Sequence, residues 1–175
     1  MKNKNENNRH ANKMLFLILL IGVTPMLIIF TLYLQDKTSP LLNFIYDTTK
    51  NIPSITSKFN PMMTKAMDVY GKSAPMLGLI TFLIVLRKRV QNTITDRSTL
   101  IKSCVLSPFI YIFYVYFFLL TDIEMTTAGR PIRFMSDNNF TLLIFYISLY
   151  YASFLLTYIM CYLPLMAYKL WKERQ

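Results

Sequence analysis

Four long apolar stretches follow one another along the chain, separated by polar connectors. They cover residues 14–34, 69–88, 103–120 and 140–167. Each is long enough to cross a bilayer core of roughly 30 Å, since a helix rises about 1.5 Å per residue. The pattern predicts an all-α integral membrane protein in which four transmembrane helices form a single domain over residues 1–175.

The second stretch is the least regular of the four. Its uninterrupted apolar part, residues 75–86, reaches only about 18 Å as a helix, which is too short to cross alone. Extending it back to Val69 gives a spanning length and places Pro75 inside the helix, where Gly71 leaves room for a kink. A re-entrant hairpin is the alternative.

Lysine and arginine predict the orientation. Residues 1–13 carry four, 87–102 carry five and 168–175 carry three. Residues 121–139 carry only two, beside three acids, and residues 35–68 carry four over about twice the length of the basic link. By the positive-inside rule both termini are cytoplasmic, 35–68 and 121–139 are periplasmic connectors, and 89–102 is a cytoplasmic connector. The same rule accounts for the net charge of +10 without nucleic acid.

Candidate chemistry is sparse. Apolar residues make up 54% of the chain, and its one histidine, His10, lies in the polar N-terminal tail. Cys104 and Cys161 lie in or beside apolar stretches, and Asp122 with Glu124 is typical of a solvated loop. No ionisable residue lies in the middle of a span, which argues against a pump or an ion-coupled transporter. We therefore expect no enzyme activity, no metal and no cofactor.

The fourth stretch carries a ridge of aromatic residues at every fourth position, with two small-xxx-small pairs beside it that permit close helix packing. Two interpretations stay open: the ridge holds the bundle together, or part of it faces the helices of another protein. The ridge consists of Tyr146, Tyr150, Phe154, Tyr158 and Tyr162, and the pairs are Ser148 with Ala152 and Ser153 with Thr157.

The first connector also predicts a helix. Asn60 before Pro61 is a plausible start, and Lys65, Asp68 and Lys72 fall on one face. We expect an interfacial amphipathic helix that leads into the second span and lies on lipid, or whose methionines accept a partner.

Three segments resemble those of one known family. They are NIPSITSKFNPMMTKAMDVYGKSAP (Asn51–Pro75), TTAGRPIRF (Thr126–Phe134) and TDRSTLIKSCVLSP (Thr95–Pro108), and the closing Arg174 and Gln175 fit as well. The chain is similar over nearly its whole length to the immunity proteins against pore-forming colicins, in the colicin A-type branch.

The resemblance implies a function. A member would lie in the bacterial inner membrane and protect the producing cell by binding the C-terminal pore-forming domain of its cognate colicin, through that domain's hydrophobic helical hairpin, before the channel opens. It implies no enzyme chemistry and no cofactor. Which colicin is neutralised and the oligomeric state stay open. The rival interpretations are a small membrane subunit or scaffold of a host transport complex and, third, a holin-like protein.

The toxin would reach the outward connectors and the helix faces beside them. Arg130 and Arg133 are available there to acidic or carbonyl groups of the hairpin, or alternatively to lipid phosphates. The positions at which we expect toxin contacts are Arg130, Arg133, Thr127, Met63, Lys65, Tyr114, Tyr146, Tyr150, Ala152 and Tyr158.

Overall fold

The computed structural model describes residues 2–86 and 97–172. The rest of the chain, including most of the basic link and the closing Arg174 and Gln175, lies outside the described residues. The elements in order are α1 (Lys2–Gln35), α2 (Pro40–Thr48), β1 (Ile55–Thr56), α3 (Pro61–Gly71), α4 (Ala74–Leu86), α5 (Arg97–Tyr114), a π-helical turn (Val115–Leu119), β2 (Ile123–Glu124), α6 (Arg130–Ser136) and α7 (Asn139–Lys172).

Within residues 2–86 and 97–172, four helical segments are long and apolar enough to cross a membrane, which agrees with the predicted number. They cover Asn7–Gln35, Pro61–Leu86, Ser98–Leu119 and Asn139–Tyr168. The third begins earlier than the apolar pattern indicated, because residues 97–102, four of which are polar, already belong to α5. Helix α7 lies at the centre of the packing and contacts α1, α3, α4, α5 and α6.

Contacts along α7 give the direction of the other helices. Tyr70 of α3 stacks on Tyr150 with ring centroids 5.8 Å apart, and Phe82 of α4 meets Tyr158 at 6.3 Å. From the first pair to the second, residue numbers increase on both sides, so α3 and α4 run parallel to α7. A re-entrant hairpin would turn back along α7 and does not describe this arrangement.

The first and third spans run the opposite way. In α5, Tyr111 shares a hydrogen bond with Thr157, whereas Tyr114, further along α5, bonds Ser153. In α1, Ala11 packs in the cluster that contains Tyr158, at the far end of α7. The bundle thus has a terminal end, where α1 and α5 begin and α4 and α7 end, and a connector end, where residues 36–60 and 120–138 lie.

The second span is interrupted, but not as predicted. Helix α3 ends at Gly71, Lys72 and Ser73 form a turn, and a new helix begins at Ala74. Pro75 therefore lies in the first turn of α4 rather than inside one continuous helix. A first-turn proline costs little, because its missing N–H would have no partner within the helix.

Helix α3 corrects a second expectation. It starts at Pro61 after Asn60, as predicted, but it does not lie on the surface with one side free. Every residue from Met63 to Asp68 is buried, because α3 is enclosed by α1, α2, β1 and α7. The charged face that suggested an interfacial helix points into the protein instead.

Candidate functional site: the connector cap and the open face of α5

The two long connectors pair with each other at the connector end. Strands β1 and β2 are parallel, with Ile55 opposite Ile123 and Thr56 opposite Glu124. The Ile123 N–H donates to the Ser54 carbonyl at 3.1 Å, and the Met125 N–H donates to the Thr56 carbonyl at 2.9 Å. Residues 36–60 and 120–138 therefore form one unit, which we call the connector cap.

Two acidic residues strengthen this pairing. Asp122 Oδ1 accepts the Ser54 N–H at 2.7 Å, and Glu124 Oε1 accepts the Lys58 N–H at 3.0 Å. Each carboxylate thus satisfies a backbone donor of the other connector, 68 and 66 residues away in sequence. Sequence reasoning missed this role, because no local pattern couples the two connectors.

Lys65 of α3 and Lys72 of the following turn both bind the first connector. Lys65 Nζ donates to the Ile52 carbonyl at 2.5 Å and to Ser54 Oγ at 2.8 Å. Lys72 Nζ donates to the Pro53 carbonyl and lies 3.2 Å from the buried Asp68 carboxylate. A buried ammonium needs such partners, since burial without them is costly. Lys65, a predicted toxin contact, is therefore engaged inside the protein.

The cap is also joined to the long helices. The Tyr146 hydroxyl donates to the Ile55 carbonyl at 2.7 Å, and the Tyr33 hydroxyl donates to Asn60 Oδ1. Asn60 Nδ2 in turn donates to Asn139 Oδ1 at 2.7 Å. These bonds bring the end of α1 and the start of α7 to the cap, so the cap and the bundle have a fixed relation.

The exposed part of the cap carries three of the predicted contacts. Thr127, Arg130 and Arg133 are exposed, and the two arginines belong to α6, which begins after Gly129. Neither arginine forms an ion pair with any residue that the structure describes. Phe134, beside them, is 76% exposed. This side of the cap can accept a partner without rearrangement.

The remaining predicted contacts lie inside the bundle. Met63, Tyr114, Tyr146, Tyr150 and Tyr158 are all buried. Ala152 is half-buried. Of the two interpretations of the aromatic ridge, the geometry favours internal packing for these tyrosines, and in their present positions they are not available to another protein.

Helix α5 has the most open surface among the spans. One edge contacts α7 through Ser107, Tyr111 and Tyr114. Only 11% of the most apolar part of this span is buried, compared with 44% for the span in α7. The opposite side, which we call the open face of α5, exposes Val105, Phe109, Ile112, Phe113 and Tyr116.

The end of α5 departs from regular geometry. Residues Val115–Leu119 form a π-helical turn, which is rare and often occurs at functional sites. The turn shifts the angular positions of Tyr116 and Phe117 relative to a continued α-helix. It then leads, within a few residues, into β2 of the cap. The open face and the cap are therefore continuous along the chain.

Apart from these contact surfaces, the titratable groups of the described residues offer little chemistry. Cys104 and Cys161 are free, half-buried thiols. Within residues 2–86 and 97–172 no three His, Cys, Asp or Glu side chains are grouped so that they could hold a metal ion.

Comparisons with known proteins agree on one family. Residues 38–175 match the family model described as colicin immunity protein. The chain is 48% identical to the colicin-A immunity protein of Citrobacter freundii over 171 residues, which covers 97% of this chain and 95% of that one. It is 34% identical to the colicin-B immunity protein of Escherichia coli over 175 residues, the full length of both. No solved structure gives a significant match.

Proposed function

Because the chain belongs to the colicin immunity protein family, we propose that it protects the bacterium that produces a pore-forming colicin. It binds the membrane-inserted pore-forming domain of its cognate colicin and prevents the channel from opening. The partner segment is the hydrophobic helical hairpin of that domain. Protection by binding requires no catalytic group and no cofactor.

The protein acts in the inner membrane with both termini in the cytoplasm. Four apolar helical spans support this location. Contacts along α7 also bring the starts of α1 and α5 together with the last residues of α4 and α7, at the terminal end of the bundle. The positive-inside rule makes that end cytoplasmic. The connector cap then lies on the periplasmic side, from which a colicin enters the membrane.

Inhibition sets an energetic requirement. An inserted closed toxin and an open channel are two states, and a bound protein favours the closed state only by binding it more tightly. Moving the equilibrium from 1:99 to 99:1 takes about 5.5 kcal/mol of differential affinity. Several close helix contacts in lipid can supply this amount without a charged site, through van der Waals packing and buried hydroxyl hydrogen bonds.

The open face of α5 is the binding surface that the geometry supports best. The one observation that carries this choice is that α5 packs mainly on α7 and leaves most of its aromatic side uncovered, whereas Tyr146, Tyr150 and Tyr158 of α7 are buried. An apolar hairpin can pack against Phe109, Phe113 and Tyr116 without displacing any helix. Arg130 and Arg133 extend the surface at the cap and are free to bind polar groups at the end of the hairpin.

A protection assay tests the proposal. Cells producing the triple variant Phe109→Ala, Phe113→Ala, Tyr116→Ala are challenged with dilutions of the pore-forming colicin that the unaltered chain neutralises, at matched membrane abundance. We expect the tolerated toxin dose to fall about tenfold or more, because loss of one anchor costs about 2 kcal/mol and 1.4 kcal/mol is a factor of ten. Arg130→Ala with Arg133→Ala forms a second arm and should give a smaller loss.

The matched control is a lipid-exposed patch on another span. Phe16 of α1 is 67% exposed, nearly the same as Phe109 at 68%, and Leu20 lies one turn further. Phe16→Ala with Leu20→Ala should leave protection unchanged. If the α5 variant protected fully, or if both variants lost protection equally, the open face of α5 would be a lipid-facing surface only.

A further inference from the structure

Helix α2 divides its surface into three sectors. Leu42 is fully buried against the protein. Leu41 and Phe44 are exposed by 52% and 70%, and exposed Thr48 lies between them with its hydroxyl bonded to the Phe44 carbonyl. Half-buried Asn43 and exposed Asp47 form a separate polar sector. At about 100° per residue, the centres of the exposed apolar and polar sectors lie roughly 110° apart. A short helix with one side on protein, one apolar side free and one polar side free has the pattern of an interfacial helix.

The position of α2 indicates which medium covers its apolar sector. A tight turn holds α2 directly after α1: the N–H and hydroxyl of Thr38 donate to Asp36 Oδ1 at 2.8 and 2.7 Å. These bonds lower the pKa of Asp36, so the carboxylate stays charged. On its buried side, α2 packs against α3, which is itself the first part of the candidate span Pro61–Leu86. Helix α2 therefore lies beside the connector-end part of that span, and its outer side faces away from the protein.

The polar sector is suited to water. Asp47 and Lys50 form an ion pair at 2.7 Å, and both side chains are more than half exposed. Asn43 Nδ2 donates back to the Thr38 carbonyl at 2.9 Å. A sector with these groups is stable at a wet boundary, whereas Leu41 and Phe44 beside it gain free energy on leaving water.

We propose that α2 is a membrane-surface helix, which inserts Leu41 and Phe44 among the acyl chains of the periplasmic leaflet while Asp47 and Lys50 face the headgroups and water. The inference rests on the membrane location proposed above. It places the interfacial helix in residues 40–48, not at Pro61–Met67, where the pattern of charged residues predicts it. The insertion fixes the depth of the connector cap, because α2 belongs to the cap and packs on α3.

The experiment measures lipid exposure residue by residue. The purified full chain, with Cys104→Ala and Cys161→Ala, receives a nitroxide label at Leu41→Cys, Phe44→Cys or Asp47→Cys and is placed in phospholipid vesicles without toxin. We expect collisions with oxygen to exceed collisions with a water-soluble nickel complex at residues 41 and 44, and the order to reverse at residue 47. Leu83→Cys, on the exposed side of α4, reports on a span.

Each outcome decides the inference. If residue 44 were as accessible to nickel as residue 47 while residue 83 remained in lipid, α2 would lie in water and the inference would fail, although the membrane location would stand. If residue 44 were closed to both reagents, another protein segment or a second copy would cover it, which also overturns the inference. If residue 83 were open to nickel, the membrane location itself would fail.

A second measurement avoids the cysteine background. The chain has one tryptophan, so Trp171→Phe with Phe44→Trp leaves a single fluorophore on α2. Lipids brominated on their acyl chains should quench this fluorophore as strongly as one placed at Phe109→Trp in the third span. Quenching no stronger than that of a tryptophan at Thr127→Trp, on the exposed cap, would contradict lipid insertion.

Discussion

Tyr146 and Tyr150 are both fully buried on α7, one turn apart, but their hydroxyl groups have different surroundings. The Tyr146 hydroxyl bonds the Ile55 carbonyl of the cap. The Tyr150 hydroxyl makes no hydrogen bond with the part of the chain that the structure describes. The contribution of a buried hydroxyl to stability depends on its partner. An unpaired buried hydroxyl costs free energy, whereas removing a paired one leaves its acceptor carbonyl without a donor.

The two tyrosines therefore give a matched pair of variants. Tyr146→Phe should lower the free energy of unfolding by about 1–3 kcal/mol, since a buried carbonyl loses its donor. Tyr150→Phe should be neutral or slightly stabilising, since no bond is lost. Denaturant titration of the purified protein in detergent measures both. Equal losses in the two variants would show that the bond to Ile55 has no special weight.

Individual residues also show what a sequence can convey. The spacing of aromatic residues indicated a ridge on α7 but left open what covers it, and Asn60 before Pro61 correctly indicated a helix start. The environment of Lys65 could not be anticipated, because its partners at Ile52 and Ser54 depend on how the connector folds back over α3. Periodicity shows which residues share a face but not what covers that face.

At the level of elements, the pairing of β1 with β2 is the feature that local patterns could least reveal. Each strand has only two residues, too few to show alternation. Their pairing depends instead on side-chain carboxylates of Asp122 and Glu124 and on the Tyr146 hydroxyl. By contrast, the four long helices follow from apolar length alone, and Gly71 and Pro75 indicated an irregularity close to the break at Lys72 and Ser73.

A cysteine pair tests the strand register. In Thr56→Cys with Glu124→Cys the new residues lie directly opposite, and we expect a disulfide after mild oxidation of isolated membranes, since bridged Cα atoms lie about 4.4–6.8 Å apart. Disulfide formation is measured by counting the reactive thiols by mass-shift labelling, before and after reduction. Thr56→Cys with Asp122→Cys, displaced by two residues along the chain from the residue opposite Thr56, is the control and should cross-link much less. Equal cross-linking would contradict the register.

For the whole molecule, packing on α7 determines which chain segments share an end of the bundle. The distribution of lysine and arginine predicts one grouping of helix ends, and the contacts reach the same grouping independently of charge. They do so through pairs such as Tyr111 with Thr157 and Phe82 with Tyr158. Which end faces the periplasm depends on the basic residues alone.

Labelling of intact cells tests the orientation. A membrane-impermeant maleimide should react with Asp47→Cys and Thr127→Cys in intact cells, because both positions are exposed on the cap. It should react with Ser98→Cys and Lys102→Cys, which are exposed near the start of α5, only after the inner membrane is permeabilised. The parent chain supplies the background from Cys104 and Cys161. The reverse pattern would place the cap in the cytoplasm.

The bond from Tyr146 to Ile55 joins residues 91 positions apart. A ribosome adding about 5–20 residues per second needs roughly 5–18 s to reach Tyr146 after it has added Ile55. During that interval the earlier helices lack α7, the helix on which they pack. On the function proposed above, a copy can therefore protect only after its last helix has been made.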